Sequence, residues 1–399
     1  MTDMSIPQGW HRVPIGGCIV ERRKSQINVE DATGYGNYPF FTSGEAVLLH
    51  DKKQVEGENI YIADGGTANV IYFDGDAAYS NHTYVVGSKD GYSTKFLFYA
   101  LKYLEDYINT NYFQGTGLKN LQKKDFKHHE LIIPSSLEEQ ERIAKALTQI
   151  DDAIDSSSRL IAKYELVKKG LMHDLLTYGI DKDGNIRSER THQFKDSPIG
   201  RIPVEWEVVE LSQEMMAIDA QPDHRTPAEV EDGVPYVGIG DIDDYSNLLL
   251  GKCRKVAKEV LEKQKGILRI EQGDIIYGKI GTIGNPKILP ITSTEYAISA
   301  NVIVVKPKGN HRYLYYTLMS DYVNKQVDMS IHATTQPAFG MEKIRALKIK
   351  RATEPEQLEI ANVVSLLDEH INQMLGEAQK LRRIRSGLLS DLITGKVRI

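Results

Sequence analysis

The chain has 399 residues, of which 41% are apolar and 26% charged, with a formal net charge of -6. That length accommodates two cores of ordinary size, and this usage is that of a globular protein rather than a disordered or fibrous one. No apolar run approaches the roughly 20 residues that cross a bilayer, "MTDMSIPQGW" lacks the parts of a signal peptide, and the weakly acidic balance gives no support to nucleic-acid binding.

The first block, residues 1–137, opens with Ile-Pro-x-x-Trp at Ile6, Pro7 and Trp10. A polar and aromatic loop word, "GYGNYPFFTSG" (34–44), precedes the strand-like "GENIYIADGGT" (57–67) and "AYSNHTYVV" (78–86). The helical "KFLFYALKYL" (95–104) and the Gly- and Lys-rich "NYFQGTGLKNLQKKDF" (111–126) follow.

Residues 138–180 form a predicted long helix. Ser136 and Glu139 make an S/T-x-x-E capping box at its start. Its apolar residues keep a four-three rhythm through Ile143, Leu147, Ile150, Ile154, Ile161, Tyr164, Leu171 and Leu175. A seam of period 3.5 requires a partner helix, because one stripe cannot be buried by the helix that carries it.

A connector rich in Gly, Pro and charge, 179–203, leads into the second block, with residues 181–354 taken as linker plus globule. This block repeats the first in order: Ile202, Pro203 and Trp206, then "GDIIYGKIGT" (273–282), "AISANVIVV" (297–305) and "RYLYYTLMSDY" (312–322). Residues 355–399 then repeat the helix. An offset of 217 pairs Gln140 with Gln357, Ile143 with Ile360, Asp151 with Asp368 and Gly170 with Gly387, and it carries Ser136 and Glu139 onto Thr353 and Glu356. The second seam runs through Ile360, Val364, Leu367, Ile371, Met374, Ala378, Leu381, Leu388 and Leu392. Both seams are interrupted at matched places by a base, Lys168 and Arg385, which either snorkels at a fraying end or fixes register against an acid on the partner.

The expected architecture is therefore α+β: two mixed α/β globules separated by two long helices packed as an antiparallel coiled coil, with an internal pseudo-two-fold repeat. Each helix has a stripe that its own globule need not cover, so packing the two stripes together is the economical arrangement. Forty helical residues span about 60 Å at about 1.5 Å per residue.

Catalytic and cofactor motifs are missing from the sequence. "NPKI" (285–288) lacks the second proline and the aromatic residue of an adenine methyltransferase word. Neither "DGGT" (64–67) nor "GKIGTIG" (278–284) matches a dinucleotide or Walker A loop. The acids form no nuclease-like metal set, the 11 histidines show no zinc spacing, and Cys18 and Cys253 lack CxxC partners.

With "LEEQERIAKALTQID", "PEQLEIANVVSLLD" and the terminal "LITGKVRI", the whole chain resembles the specificity subunit of type I restriction-modification systems. The resemblance implies two target recognition domains alternating with two helical regions, in a subunit that is not itself an enzyme. Each domain reads one half of a bipartite double-stranded DNA site. The helix pair sets the unread spacing and docks two methyltransferase subunits, which use S-adenosylmethionine. Restriction and motor subunits, with ATP and Mg, join to cut unmodified DNA. No cofactor or metal is expected in this chain, and its setting is cytoplasmic. The alternative is a duplicated coiled-coil scaffold that binds two protein partners without DNA specificity.

Base edges are read by polar side chains on loops. The candidates in the first block are Tyr35, Asn37 and Tyr38; Thr67 and Asn69; Asn81 and His82; and Gln114, Thr116, Lys119 and Asn120. Their counterparts are Lys279, Thr282 and Asn285; Asn301; and His332, Thr334, Thr335 and Gln336. The resemblance gives most weight to the loop before the last strand of each domain. The basic runs 252–269 and 341–351 are candidates for gripping phosphates. Neither block is basic as a whole: residues 1–137 hold 13 Lys plus Arg against 16 Asp plus Glu, and residues 181–354 hold 24 against 25.

Overall fold

The computed structural model describes residues 6–221, 225–332 and 338–399. The chain divides into two compact units, Met1–Ser158 with Glu377–Ile399, and Arg159–Gly376. Two long helices, Leu137–Tyr178 and Glu354–Ile393, each contribute to both units.

The first unit carries a four-stranded antiparallel sheet in the order Ile19–Glu21, Thr83–Ser88, Glu58–Ala63, Val70–Asp74. Ile60 stands opposite both Val86 and Tyr72. The strand Glu58–Ala63 is buried at five of its six positions, which explains its nearly continuous apolar run. A three-stranded sheet, Leu48–His50, Tyr38–Phe41, Ala78–Tyr79, has its last pair parallel. Trp10–Pro14 pairs with Glu130–Pro134.

The second unit repeats these arrangements. Its four-stranded sheet runs Met215–Ile218, Val302–Pro307, Ile275–Gly278, Gly284–Ile288, and its three-stranded sheet runs Lys255–Val256, Glu229–Val237, Ala297–Ile298, again with the last pair parallel. Glu207–Glu210 pairs with Lys348–Arg351, as Trp10–Pro14 does with Glu130–Pro134. The repeat that reads faintly in the globules is thus plain in these three sheets of each unit.

Each four-stranded sheet packs on a short amphipathic helix, Thr94–Tyr103 or His311–Met319, and each of these is seated on a long helix. Ile143, Leu147 and Leu392 belong to one cluster with Trp10, Phe96 and Leu97, whereas Leu175, Ile360 and Val364 belong to another with Trp206, Tyr313 and Leu314. The globules therefore do cover the outer parts of the stripes, contrary to the expectation that they need not. Toward the middle, Ile150, Ile154, Ile161, Leu367 and Leu381 are half-buried, as are Leu171 and Leu388 nearer the helix ends, while Ile371 is fully buried.

Within each unit the two helical segments run in opposite directions. In the first, Asp151 meets Arg385 and Ser158 meets Arg382; in the second, Tyr164 meets His370 and Lys168 meets Asp368.

The capping boxes form only in part. Ser136 Oγ accepts from the Glu139 amide at 3.4 Å, yet the Glu139 carboxylate does not return to the cap. It accepts instead from the Trp10 indole at 3.2 Å and from Arg398 at 2.8 and 2.9 Å. Glu356 likewise accepts from the Trp206 indole and the Ile180 amide, each at 2.9 Å, and from Arg187. Both carboxylates are buried, and a buried charge requires charged and hydrogen-bonding partners that an exposed cap does not supply. This also accounts for the two Ile-Pro-x-x-Trp words, whose indoles lie in the cores.

Candidate nucleic-acid interface

In the first unit, backbone bonds gather three of the predicted loop words and the Ser43 end of the fourth. The Asp64 amide donates to the His82 carbonyl at 2.9 Å, the Leu121 amide to the Asp64 carbonyl at 3.1 Å, and the Gly66 amide to the Lys119 carbonyl at 2.8 Å. Ser43 Oγ donates to the His82 carbonyl, and Asn69 Nδ2 to the Gly44 carbonyl at 2.9 Å. An ion pair of 2.8 Å joins Lys123 to Asp64 in the same group.

Thr67, His82, Gln114, Thr116, Lys119 and Asn120 are exposed on this group. Asn69 and Asn81 are half-buried; Asn81 Nδ2 donates to Asn28 at 2.7 Å. Gln114 and Asn120 flank a two-residue-strand hairpin, Phe113–Gln114 with Asn120–Leu121, whose tip is glycine-rich. Tyr35, Asn37 and Tyr38 lie at the opposite end of the strand Tyr38–Phe41 from Ser43, and among the described residues no hydrogen bond ties them to the group. Tyr35 is 86% exposed.

The second unit repeats the backbone pattern. The Lys279 amide donates to the Asn301 carbonyl at 2.8 Å and the Phe339 amide to the Lys279 carbonyl at 2.9 Å, as Asp64 does with His82 and Leu121. The bridge Gly65–Asn120 has its counterpart in Ile280–Ala338. Thr282, Asn285 and Asn301 are exposed, and Asn285 adopts the left-handed φ of 48° that asparagine tolerates. Thr334, Thr335 and Gln336, with the side chain of His332, lie outside the described residues.

Lys279 differs from its expected role as a reader. It is 5% exposed and its ammonium pairs with Asp219 at 2.6 Å, so the charge is held inside the domain. The basic run 341–351 is also engaged internally: Lys348 pairs with Glu210 at 2.9 Å and Arg351 with Glu214 at 3.0 Å. Lys350 is buried, its ammonium 4.9 Å from the Tyr322 ring centre, and burial pushes it down to about 8. In the run 252–269, Lys265 pairs with Glu262 and Glu295 at 2.9 and 2.7 Å. Asp219 and Lys123 escaped the sequence reading because each lies about 60 residues from its partner, where no local pattern reports the pairing.

Among the described residues no group of three or more His, Cys, Asp or Glu is placed to hold a metal ion, and no helix is long and apolar enough to cross a membrane. Cys18 is buried, which pushes its thiol up to about 11, and Cys253 is half-buried; both are unpaired thiols. What the geometry offers is two similar surfaces of exposed hydroxyl, amide and imidazole groups on pinned loops, suited to hydrogen-bonding a polar edge.

The type I restriction modification DNA specificity domain model matches residues 7–166 and 203–383, one match per repeat. The chain is 28% identical over 420 residues to the type I restriction enzyme MjaVIII specificity subunit of Methanocaldococcus jannaschii, covering 100% of this chain and 95% of that one. It is 19% identical to the type I restriction enzyme EcoDI specificity subunit of Escherichia coli, over 96% of this chain and 88% of the other. The fold is similar to the crystal structure of the S subunit of a type I restriction-modification system from M. genitalium, with a TM-score of 0.67, 18% identity and coverage of 98% and 97%. Matched on both repeats and over most of its length, the chain belongs to the type I restriction modification DNA specificity family.

Proposed function

We propose that this chain selects a bipartite double-stranded DNA sequence, one half-site for each globule, and that the long helices hold the unread spacing between the halves. The observation that carries this reading is the doubled loop group. Two units with one backbone pattern present different side chains on it, Thr67, His82 and Gln114 in one and Thr282, Asn285 and Asn301 in the other. Equal scaffolds with unequal polar tips suit two half-sites of different sequence. A scaffold role without DNA specificity is not favoured for a member of this family.

The chain itself is a non-catalytic reader that acts in the cytoplasm. Its partners are two methyltransferase subunits, docked along the helices and supplied with S-adenosylmethionine, and restriction and motor subunits supplied with ATP and Mg. Lys123 and Lys279 beside the loops are held by Asp64 and Asp219, so the grip on phosphates comes in good part from the enclosing subunits. The test is salt-dependent binding of the chain, with and without its methyltransferase partner, to genomic fragments that are then sequenced. Enrichment of one split motif only in the assembled complex supports the reading; equal retention of all fragments contradicts it.

A further inference from the structure

The loop groups contain one feature that polar readout leaves unused. Leu118, at the tip of the Phe113–Leu121 hairpin, is 63% exposed amid Thr116, Lys119 and Asn120, and Ile280 in the second unit is 48% exposed at the equivalent bridge. A single exposed leucine is ordinary on any protein surface. Leu118 differs from such a residue in being presented on a fixed loop, whereas Ile280 stands at the place of Gly65 in the repeat.

Three features hold that loop. Gly115 has a φ of 153°, and a Cβ there would stand 2.4 Å from the Leu118 carbonyl, so the turn admits glycine alone. The Gly66 amide donates to the Lys119 carbonyl at 2.8 Å, and Asn120 Nδ2 to the Leu118 carbonyl at 3.3 Å. Leu118 Cδ2 lies 3.6 Å from where a Gly65 Cβ would be, so the side chain rests on the neighbouring loop word and is aimed rather than loose.

On the major-groove edges of the base pairs the apolar group is the 5-methyl of thymine; the other recognition points are hydrogen-bond donors and acceptors. We propose that Leu118 discriminates by contacting a thymine 5-methyl group in the first half-site. This rests on the reading that the loop groups face the duplex. An insertion between base steps would use the same side chain differently, because it depends on unstacking and not on one methyl.

The test uses the chain assembled with its methyltransferase partner and a duplex carrying the site mapped by adenine methylation. Each thymine of the first half-site, on either strand, is replaced in turn by deoxyuridine, and affinities are measured for the natural chain and for Leu118→Ala. Leu118 is exposed, so the substitution should leave the melting temperature unchanged. The inference expects one position at which deoxyuridine lowers affinity about fourfold, the worth of one buried methyl, and expects Leu118→Ala to abolish that difference. It is overturned if no deoxyuridine effect depends on Leu118, or if Leu118→Ala weakens thymine and uracil duplexes equally. Binding of the natural chain that does not distinguish the mapped site from a scrambled duplex would remove the DNA-facing reading itself, and this inference with it.

Discussion

Asp151 holds the Arg385 guanidinium at 2.9 Å in one unit, and in the other Asp368 holds the Lys168 ammonium at 2.5 Å. The offset of 217 carries Asp151 onto Asp368 and Lys168 onto Arg385, so one ion pair occurs twice with acid and base exchanging helices. Tyr99 donates to Asp151 at 2.9 Å and Tyr316 to Asp368 at 2.7 Å, while Thr148 and Ser365 stand at 3.2 Å from the same hydroxyls. Each node thereby joins a globule's short helix to both long helices of its unit. The bases that interrupt the seams fix register; they do not snorkel.

Breaking either pair should cost stability. The side chains of Lys168 and Asp368 are 14% and 18% exposed, so Lys168→Ala leaves a largely buried carboxylate without its cation and should destabilise by about 3 kcal/mol. Asp368→Asn in the same chain should recover part of that loss. Urea unfolding of the two single variants and the double variant gives the coupling energy, and additive losses would show that the contact contributes nothing.

Acid should loosen the first unit through Glu139. Hydrogen bonds from Arg398, and then from Trp10, hold its carboxyl below the usual carboxylate range against the opposing effect of burial. A folded value below the unfolded one of about 4.3 gives stability that is complete above that pH and is lost as pH falls through the folded value. Glu139→Gln should flatten the stability profile below about pH 4 relative to the natural chain, as followed by urea unfolding at each pH. An unchanged acid limb would remove Glu139 from the account.

The two helix endings, "TYG" and "ITG", share a requirement for glycine. Gly179 has a φ of 72°, and a Cβ there would come within 2.2 Å of Glu356 and 2.6 Å of Trp206; Gly395, at 68°, would meet Pro7 at 2.7 Å and Trp10 at 3.3 Å. Gly179→Ala combines left-handed strain with a clash in a closed site and should cost more than about 2 kcal/mol. Gly395→Ala should cost less, since its nearest neighbour is a proline ring near the chain's start. Melting temperatures of the two variants check the order.

The helices and their duplication are legible in the sequence because period and offset are local arithmetic: Ile143 and Ile360 occupy one phase of one word. What Ile143 packs on is not, since Phe96 and Trp10 reach it through the globule's topology. Glu139 reads as a cap because its spacing from Ser136 is that of a capping box, while the indole and guanidinium that claim it lie 129 and 259 residues away. The loop words were recognisable by composition. That Asp64 joins His82 and Leu121, and that Lys279 turns inward to Asp219, follow from strand order, which a single sequence does not display.

Exposed loop residues should alter binding without altering folding. Lys119→Ala should weaken all sequences alike and reduce the salt slope by about 1, whereas Gln114→Ala should relax preference at one base pair. Binding titrations over a range of salt, with a library of variant half-sites, separate the two behaviours. Equal effects of both substitutions on every sequence would place Gln114 on the backbone rather than on a base.

The central claim is that paired helices hold two readers at a set distance on one duplex. It is tested by mapping methylated adenines in a host that carries this chain with a heptad inserted at matched points of both long helices. The account predicts the same two half-sites with the gap enlarged by about three base pairs, since a heptad adds about 10 Å and a base pair spans about 3.4 Å. Half-sites retained at their original spacing would contradict it.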